Sequence, residues 1–310
     1  MPSERSSTHM AGPQNTAPTV RTRDGVALAV RHVPPGDGAA GRAGPAEDEG
    51  STAVVMLPGF SGWSEKPGFA EVAADLHRRA PSLGWLLVDL RGHGRSGGTS
   101  TLGDLEVLDV DAAVAAAREL GYRRVITLGW SMGGTCVLRH AGLVGRTVGG
   151  LPLDAPPDAV VTVSAVSRWE VKESVAMRRL HRIVQTRLGR VLARRVYRVR
   201  VDPAGWTTPP LDPAGAAALI RVPLLVVHGE RDHYFGWDHA RTLASAAGEH
   251  ATLWLVPGLG HAEMAAVAPD APPLLERLAD ALLALASGRP VEPWPTPQAT
   301  DALPDPAGGR

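Results

Sequence analysis

The sequence predicts an α/β protein with a mostly parallel β-sheet that carries helices on both faces. Short apolar segments alternate along the chain with segments of helical spacing, and this order is typical of parallel sheets. Polar residues follow directly after several of the apolar segments. Because ligands bind beyond the carboxyl ends of the strands in such sheets, we expect a functional site there.

The first predicted strand follows the turn Asp24-Gly25 and is expected to pair antiparallel with the rest of the sheet. The later strands lead into turns, Gly-rich loops or helices. The predicted strands begin at residues 26, 52, 84, 123, 159, 222 and 251. The predicted helices cover residues 69–80, 105–120, 131–142, 238–248 and 272–288.

Composition limits the class of protein. The chain has 310 residues with 32 basic and 32 acidic side chains, a balance that favours neither nucleic acid nor an anionic membrane. The single cysteine, Cys136, excludes an internal disulfide. No apolar run approaches the ~18 residues of a membrane span, and the N-terminus lacks the apolar region of a secretory signal. We therefore expect a cytoplasmic protein; the oligomeric state stays open.

The predicted domain organisation is a core interrupted by one insertion. Gly, Pro and acidic residues dominate the stretch 34–50, which is expected to be poorly ordered. The remaining divisions are a disordered segment 1–19, core segments 20–166 and 211–288, a small helical cap at 167–210, and a disordered tail 289–310. The cap is rich in arginine, which could attract an anionic acyl group or carrier. No aromatic platform interleaves these arginines, so nucleic-acid binding is not expected.

The stretch Gly129-Trp130-Ser131-Met132-Gly133 lies where a predicted strand becomes a helix. Two glycines permit a tight turn that lifts the Ser131 hydroxyl above the sheet at a helix N-terminus. This is the nucleophile-elbow pattern G-x-S-x-G. Downstream, Asp232 and His261 follow two further strands, in the order serine, acid, histidine.

These residues, with "LPGF", "DLRGHGRS", "HGERD" and "GLGHAE", resemble the α/β-hydrolase superfamily, of serine esterase or lipase type. The resemblance implies an eight-stranded, mostly parallel sheet and a small helical cap. It implies Ser131 as nucleophile, His261 as base and Asp232 as the acid that orients the base. The amides of Phe60 and Met132 would form the oxyanion hole. It implies no metal and no organic cofactor.

The sequence departs from the superfamily pattern at two places. Pro58-Gly59 stands where many relatives have His-Gly, and a lipase-type His-Gly-Gly-Gly run is absent. After Asp232 the chain continues "HYFGW" where many relatives have a proline. Glu230 is a rival to Asp232, although the spacing from "HG" favours Asp232.

Five further aromatic and histidine side chains are candidates for the substrate pocket or for structural roles. Trp63, Trp130 and His233 are expected to line the substrate pocket, because each adjoins a candidate catalytic residue or the oxyanion loop. His93 and His228 are expected to have structural roles.

The predicted function is hydrolysis of a small-molecule carboxylic ester through an acyl-enzyme on Ser131. A thioesterase or an acyltransferase would use the same triad, as would a perhydrolase or a C–C bond hydrolase. A non-catalytic ligand-binding protein of the same fold is the alternative from another class. Dehalogenases and epoxide hydrolases of this fold carry a carboxylate at the elbow, so Ser131 argues against both.

Overall fold

The computed structural model of the protein describes residues 20–36 and 52–295. The predicted disordered segment 1–19, most of the stretch 34–50 and the end of the tail from residue 296 lie outside the described residues. Within the described part of the chain, no helix is long and apolar enough to cross a membrane.

A seven-stranded sheet forms the centre of the fold, in the order β11-β10-β9-β6-β4-β5-β3. Only β3 pairs antiparallel; every other pairing in this sheet is parallel. Its strands are β3 (Val30–Val33), β4 (Thr52–Leu57), β5 (Gly84–Val88), β6 (Arg124–Trp130), β9 (Ala159–Val163), β10 (Leu224–Gly229) and β11 (Ala251–Val256). Two short antiparallel pairs stand apart, β1 (Val20–Arg21) with β2 (Ala27–Leu28) and β7 (Thr147–Val148) with β8 (Leu151–Pro152).

The described sheet has one strand fewer than the eight expected. The stretch predicted as one strand from residue 26 divides into β2 and β3 at Ala29. The Ala29 N–H donates to Ser96 Oγ at 2.8 Å, and the Ala29 carbonyl accepts from the Asp89 N–H. Because both backbone groups bind the loop after β5, Ala29 leaves the strand ladder and β2 pairs with β1 instead.

Helices cover both faces of the sheet, each with its own apolar core. On one face lie α1 (Phe69–Arg79), α8 (Ala262–Ala266) and α9 (Leu274–Ala286). On the other lie α2 (Glu106–Glu119), α3 (Met132–Leu143), α6 (Pro213–Ala217) and α7 (Asp238–Ala247). The five inner strands are almost entirely buried, which explains their continuous apolar sequence, whereas the edge strands β3 and β11 are partly exposed.

Two further helices lie in the chain between β9 and β10, within the predicted cap. These are α4 (Val175–Gln185) and α5 (Arg187–Val196). Each begins at a side-chain cap: Ser174 Oγ accepts from the Met177 N–H at 3.1 Å, and Thr186 Oγ1 accepts from the Gly189 N–H at 3.0 Å. After α5, a bridge between Ser100 and Val201 joins the chain to the loop after β5.

Residues 289–295 differ from the disordered tail that the sequence predicts. The Trp254 indole N–H donates to the Glu292 carbonyl at 2.9 Å. The rings of Trp254 and Trp294 meet edge to face with centroids 5.4 Å apart, and the Arg277 guanidinium lies over Trp294. The contact between the buried Trp254 and the half-buried Trp294 therefore offsets the ordering entropy of a proline-rich segment that composition alone marks as disordered.

Candidate active site

Ser131 lies between the end of β6 and the start of α3 in a backbone conformation that is rare for serine, with φ of 49° and ψ of −115°. The flanking glycines permit this turn. A Cβ on Gly129 would lie 2.2 Å from the Gly133 carbonyl oxygen, and one on Gly133 would lie 2.4 Å from the Pro58 carbonyl oxygen. Only hydrogen fits at either position, so the spacing of the motif follows from backbone packing.

Three side chains from three loops meet at this turn. His261 Nε2 lies 3.0 Å from Ser131 Oγ. On the other side of the same ring, His261 Nδ1–H donates to Asp232 Oδ2 at 2.7 Å. Asp232 follows β10, and His261 follows β11 and caps α8. The parallel strands bring together residues that lie up to 130 positions apart.

The Asp232 carboxylate is fully buried and accepts several hydrogen bonds. Its Oδ1 accepts the backbone N–H groups of Tyr234 and Phe235, at 2.8 and 3.1 Å. Burial acts to raise the pKa of Asp232, but the hydrogen bond and the electrostatic interaction with His261 hold that pKa below its usual value. The site therefore favours the carboxylate, the form that accepts the hydrogen bond from His261 Nδ1–H.

His228 lies next to this pair without joining it. Its Nε2–H donates to the Phe235 carbonyl at 3.1 Å and lies 3.7 Å from Asp232 Oδ2. Burial lowers the pKa of His228, which favours its neutral ring. His93 is also buried, with Nδ1 bonded to the Arg91 carbonyl at 2.9 Å in the loop after β5. Both histidines occupy structural positions in the fold.

Phe60 and Met132 line the same cavity as Ser131. Met132 is the first residue of α3, where backbone N–H groups have no partner within the helix. Phe60 follows Gly59, and a Cβ on Gly59 would lie 3.1 Å from Ser131 Cβ and 3.6 Å from Glu263 Oε2.

Glu263 is a buried carboxyl near the site that no sequence motif singled out. Its Oε2 has no hydrogen-bond partner among the described residues.

A cavity of about 410 Å³ extends from Ser131 beneath the cap. Two tryptophans of the cap form part of its wall, with ring centroids 4.9 Å apart. Trp169 Nε1–H donates to the Pro210 carbonyl and Trp206 Nε1–H to the Thr101 carbonyl, which leaves their rings as apolar surface. The other apolar wall residues include Phe60, Leu102, Val166, Val171, Met177, Leu180, Val184, Val201 and Phe235.

The pocket residues expected from the sequence are placed elsewhere. Trp130 is fully buried in the core with Ile126 and Leu128, because alternate strand residues share a face. Trp63 packs against Lys66 and Arg198. The exposed His233 contacts the Tyr234 and His261 rings. None of these three expected residues lines the cavity.

Glu230, the rival acid, points away from His261. Its Oε2 accepts the backbone N–H of Gly258 at 3.4 Å in an exposed position.

The tryptophans that line the cavity could have been found in the sequence from where they lie in the cap insertion. Trp169 and Trp206 lie near its two ends, where the chain leaves and rejoins the carboxyl end of the sheet.

The parallel sheet and the serine at its strand–helix turn define a protein of the α/β-hydrolase class. The sequence model described as "Alpha/beta hydrolase family" matches residues 54–274, and the chain belongs to this family. None of the curated proteins matches the chain in sequence.

Solved structures share the fold at low sequence identity. An esterase from Pyrococcus furiosus is similar with a TM-score of 0.60 and 19% identity, over 84% of this chain and 87% of that one. An esterase from a Rhodococcus species is similar with a TM-score of 0.58 and 20% identity, over 87% of this chain and 98% of that one. At this identity the similarity describes the fold.

Proposed function

We propose that the protein is a serine hydrolase that cleaves carboxylic esters through an acyl-enzyme on Ser131. The observation that carries the proposal is the chain of two hydrogen bonds that joins Ser131 Oγ, the His261 ring and the buried Asp232 carboxylate. A serine hydroxyl is a weak nucleophile at neutral pH and needs an adjacent base, which His261 supplies. Asp232 holds the ring with Nε2 toward the serine and stabilises the imidazolium.

The reaction proceeds in two halves. Ser131 Oγ attacks the ester carbonyl carbon while His261 Nε2 takes the hydroxyl proton. The tetrahedral oxyanion is stabilised by the N–H groups of Phe60 and Met132, each worth roughly 3 kcal/mol in comparable sites. Collapse breaks the ester bond, and His261 returns the proton to the leaving alcohol. A water molecule then attacks the acyl-enzyme with His261 again as base, which releases the acid and restores Ser131.

The charged residues of the cavity wall favour an uncharged acyl group. Arg168 pairs with Glu173 and Asp238, and Glu170 pairs with Lys172. Arg190 donates to the Val184 and Gln185 carbonyls, and Asp202 accepts the Ala204 N–H. These groups already have partners within the chain, and the rest of the wall is mainly apolar. We therefore assign the substrate as an ester of a medium-length or aromatic carboxylic acid, in place of the anionic acyl group considered from the sequence.

A fluorophosphonate probe tests the nucleophile. We expect wild-type protein to gain the mass of one phosphonyl group and Ser131→Ala to gain none. Ser245→Ala, on the exposed face of α7, is the matched control and should label like wild type. A folded wild-type protein that does not label would contradict the proposal and favour a non-catalytic binding protein.

A second assay separates hydrolysis from transfer. Thioesterase and acyltransferase activities share the acyl-enzyme and differ in donor or acceptor. Matched oxygen and thiol esters of one acid, each with and without an added alcohol, identify the preferred donor and acceptor. We expect the free acid from the oxygen ester to dominate. A larger yield of the new ester would reassign the protein as an acyltransferase.

A further inference from the structure

The outer surface of the cap differs from the rest of the protein surface. Among the described residues, ten large hydrophobic side chains are exposed, and six of them lie between residues 175 and 197. Such clustering of exposed apolar side chains is typical of an interaction site. The six are Val175, Leu188, Val191, Leu192, Val196 and Tyr197.

Helix α5 accounts for most of this surface because of the way it packs. Its buried residues are Gly189 and Ala193, so it meets the protein through a narrow face of small side chains. Its larger aliphatic side chains point outward instead: Leu188 is 81% exposed and Val196 is 60% exposed. Leu188, Leu192 and Val196 recur every four residues and so form one stripe along the helix. We call this stripe, together with Val191, the α5 surface.

The charge around the α5 surface has one sign. Residues 174–201 contain nine arginines and no Asp or Glu, although the whole chain is neutral. On α5, the exposed Arg187 and Arg194 lie four and three positions from Val191, so both flank it on the outer side of the helix. The balanced composition of the chain therefore hides a strongly cationic and apolar patch.

We propose that the α5 surface binds the face of a membrane that contains anionic phospholipid. A helix with basic and aliphatic rows lies in the interface, where its apolar side chains enter the acyl boundary and its arginines meet lipid phosphates. The long arginine side chains can extend toward the headgroups while their stems remain in apolar surroundings. The patch thus matches both chemical features of such a surface.

The alternative occupants fit less well. A second copy of the chain would bring two arginine-rich faces together, and like charges in contact oppose association. A peptide helix is usually bound in an apolar groove, whereas α5 presents exposed side chains on an outward-facing helix. The aliphatic stripe also offers nucleic acid no stacking platform.

The location of α5 connects this surface to the cavity. Arg190 of α5 and Met177, Leu180 and Val184 of the adjoining α4 line the cavity that reaches Ser131. A membrane beneath α5 would therefore lie next to the wall of an apolar cavity. This position suits a protein whose substrate partitions into lipid, although the binding itself does not depend on the chemistry at Ser131.

Vesicle sedimentation tests the proposal with the full chain. We expect wild-type protein to sediment with vesicles of phosphatidylcholine containing 30% phosphatidylserine and to remain in solution with phosphatidylcholine alone. Arg187→Gln and Arg194→Gln should each weaken binding about fivefold, the effect typical of one basic residue at an anionic surface. Leu188→Gln should also weaken binding several-fold, because it removes the most exposed aliphatic side chain. Added salt should weaken wild-type binding.

Matched controls keep the result specific to α5. Leu120→Gln and Arg146→Gln alter exposed residues of the same types elsewhere and should bind vesicles like wild type. Fluorophosphonate labelling and thermal unfolding in solution should be unchanged for every variant, since none of these residues lines the cavity. The proposal is overturned by absence of vesicle binding, by equal binding to neutral vesicles, or by α5 variants that bind like wild type. A wild-type dimer that Leu188→Gln dissociates would assign the surface to a second copy instead.

Discussion

The carboxylate of Asp232 gives one oxygen to His261 and the other to the backbone of its own loop. Oδ2 accepts His261 Nδ1–H at 2.7 Å, while Oδ1 accepts the N–H groups of Tyr234 and Phe235. Hydrogen bonds to both oxygens fix the orientation of the carboxylate before it meets the imidazole. This arrangement makes Asp232 the residue that determines the tautomer of His261.

We expect Asp232→Asn to lower kcat by roughly 10³- to 10⁴-fold, the loss seen when the equivalent acid of a serine protease is replaced by its amide. The amide cannot accept from Nδ1 in the same way when its N–H₂ group faces the ring, so the wrong tautomer is favoured. Glu230→Gln is the control, since Glu230 binds Gly258 rather than His261. Steady-state kinetics on a p-nitrophenyl ester measures both. Equal losses in the two variants would contradict the assignment.

The lowered pKa of Asp232 predicts a pH-dependent contribution to stability. A carboxyl whose pKa is lower in the folded chain stabilises the fold above its unfolded pKa of about 4, and this stability is lost as the pH falls through the folded value. We expect the difference in free energy of unfolding between wild type and Asp232→Asn to be constant above about pH 5 and to shrink as the pH falls below that value. Urea unfolding at each pH measures it.

The control for this series is Asp270→Asn, an exposed acid outside the site. Its free energy of unfolding should follow that of wild type across the same pH range. A constant difference between wild type and Asp232→Asn would show that the hydrogen bonds to Asp232 do not favour its ionised form.

The turn at Ser131 predicts a large effect from one added methyl group. A Cβ on Gly133 would lie 2.4 Å from the Pro58 carbonyl oxygen and 2.8 Å from the Leu57 carbonyl oxygen. Both are backbone atoms, so the main chain would have to shift at a cost in free energy to remove either contact. We expect Gly133→Ala to lower the free energy of unfolding by about 2 kcal/mol or more and to slow fluorophosphonate labelling. Gly36→Ala, whose Cβ would lie 3.8 Å from Pro81, should change neither. Wild-type labelling by Gly133→Ala would contradict the steric argument.

The size of the cavity predicts that a larger side chain in its wall will shorten the acyl group that the enzyme accepts. Val184 is buried and lines the cavity from α4. We expect Val184→Phe to lower kcat/KM for a p-nitrophenyl octanoate by about tenfold or more while the acetate stays within twofold, because a large side chain displaces only the longer acyl group. Val191→Phe, on the exposed face of α5, is the control. A uniform loss on both esters would place Val184 outside the acyl pocket.

The elbow could be predicted from sequence because its causes are local. The glycines around Ser131 and the strand-to-helix change occupy one short segment. Strand ends also located Asp232 and His261, since parallel pairing places successive strand ends at one edge of the sheet. The inward position of Trp130 could have been read from its spacing to Ile126 and Leu128, which share its face.

The cavity wall could not be predicted in this way. Trp169 and Trp206 are brought together by the path of the insertion, and the sequence pattern of the insertion does not predict how its helices pack. The orientation of the two indole rings depends on hydrogen bonds to the carbonyls of Pro210 and Thr101. The division of the first strand at Ala29 likewise depends on Ser96, a contact across 67 positions. Both features arise from long-range contacts that leave no periodic signal in the chain.

The packing of Trp294 against Trp254 has a consequence for the edge of the sheet. Strand β11 is an edge strand, and Trp254 is the large side chain that residues 292–294 cover. A chain shortened after Gly288, where composition suggests that the core ends, would uncover an indole on a strand with an unpaired edge. Exposed apolar edges are templates for self-association. We expect this truncated protein to aggregate during concentration or heating. The proline-rich segment 289–295 would then protect the intact protein against aggregation at this edge.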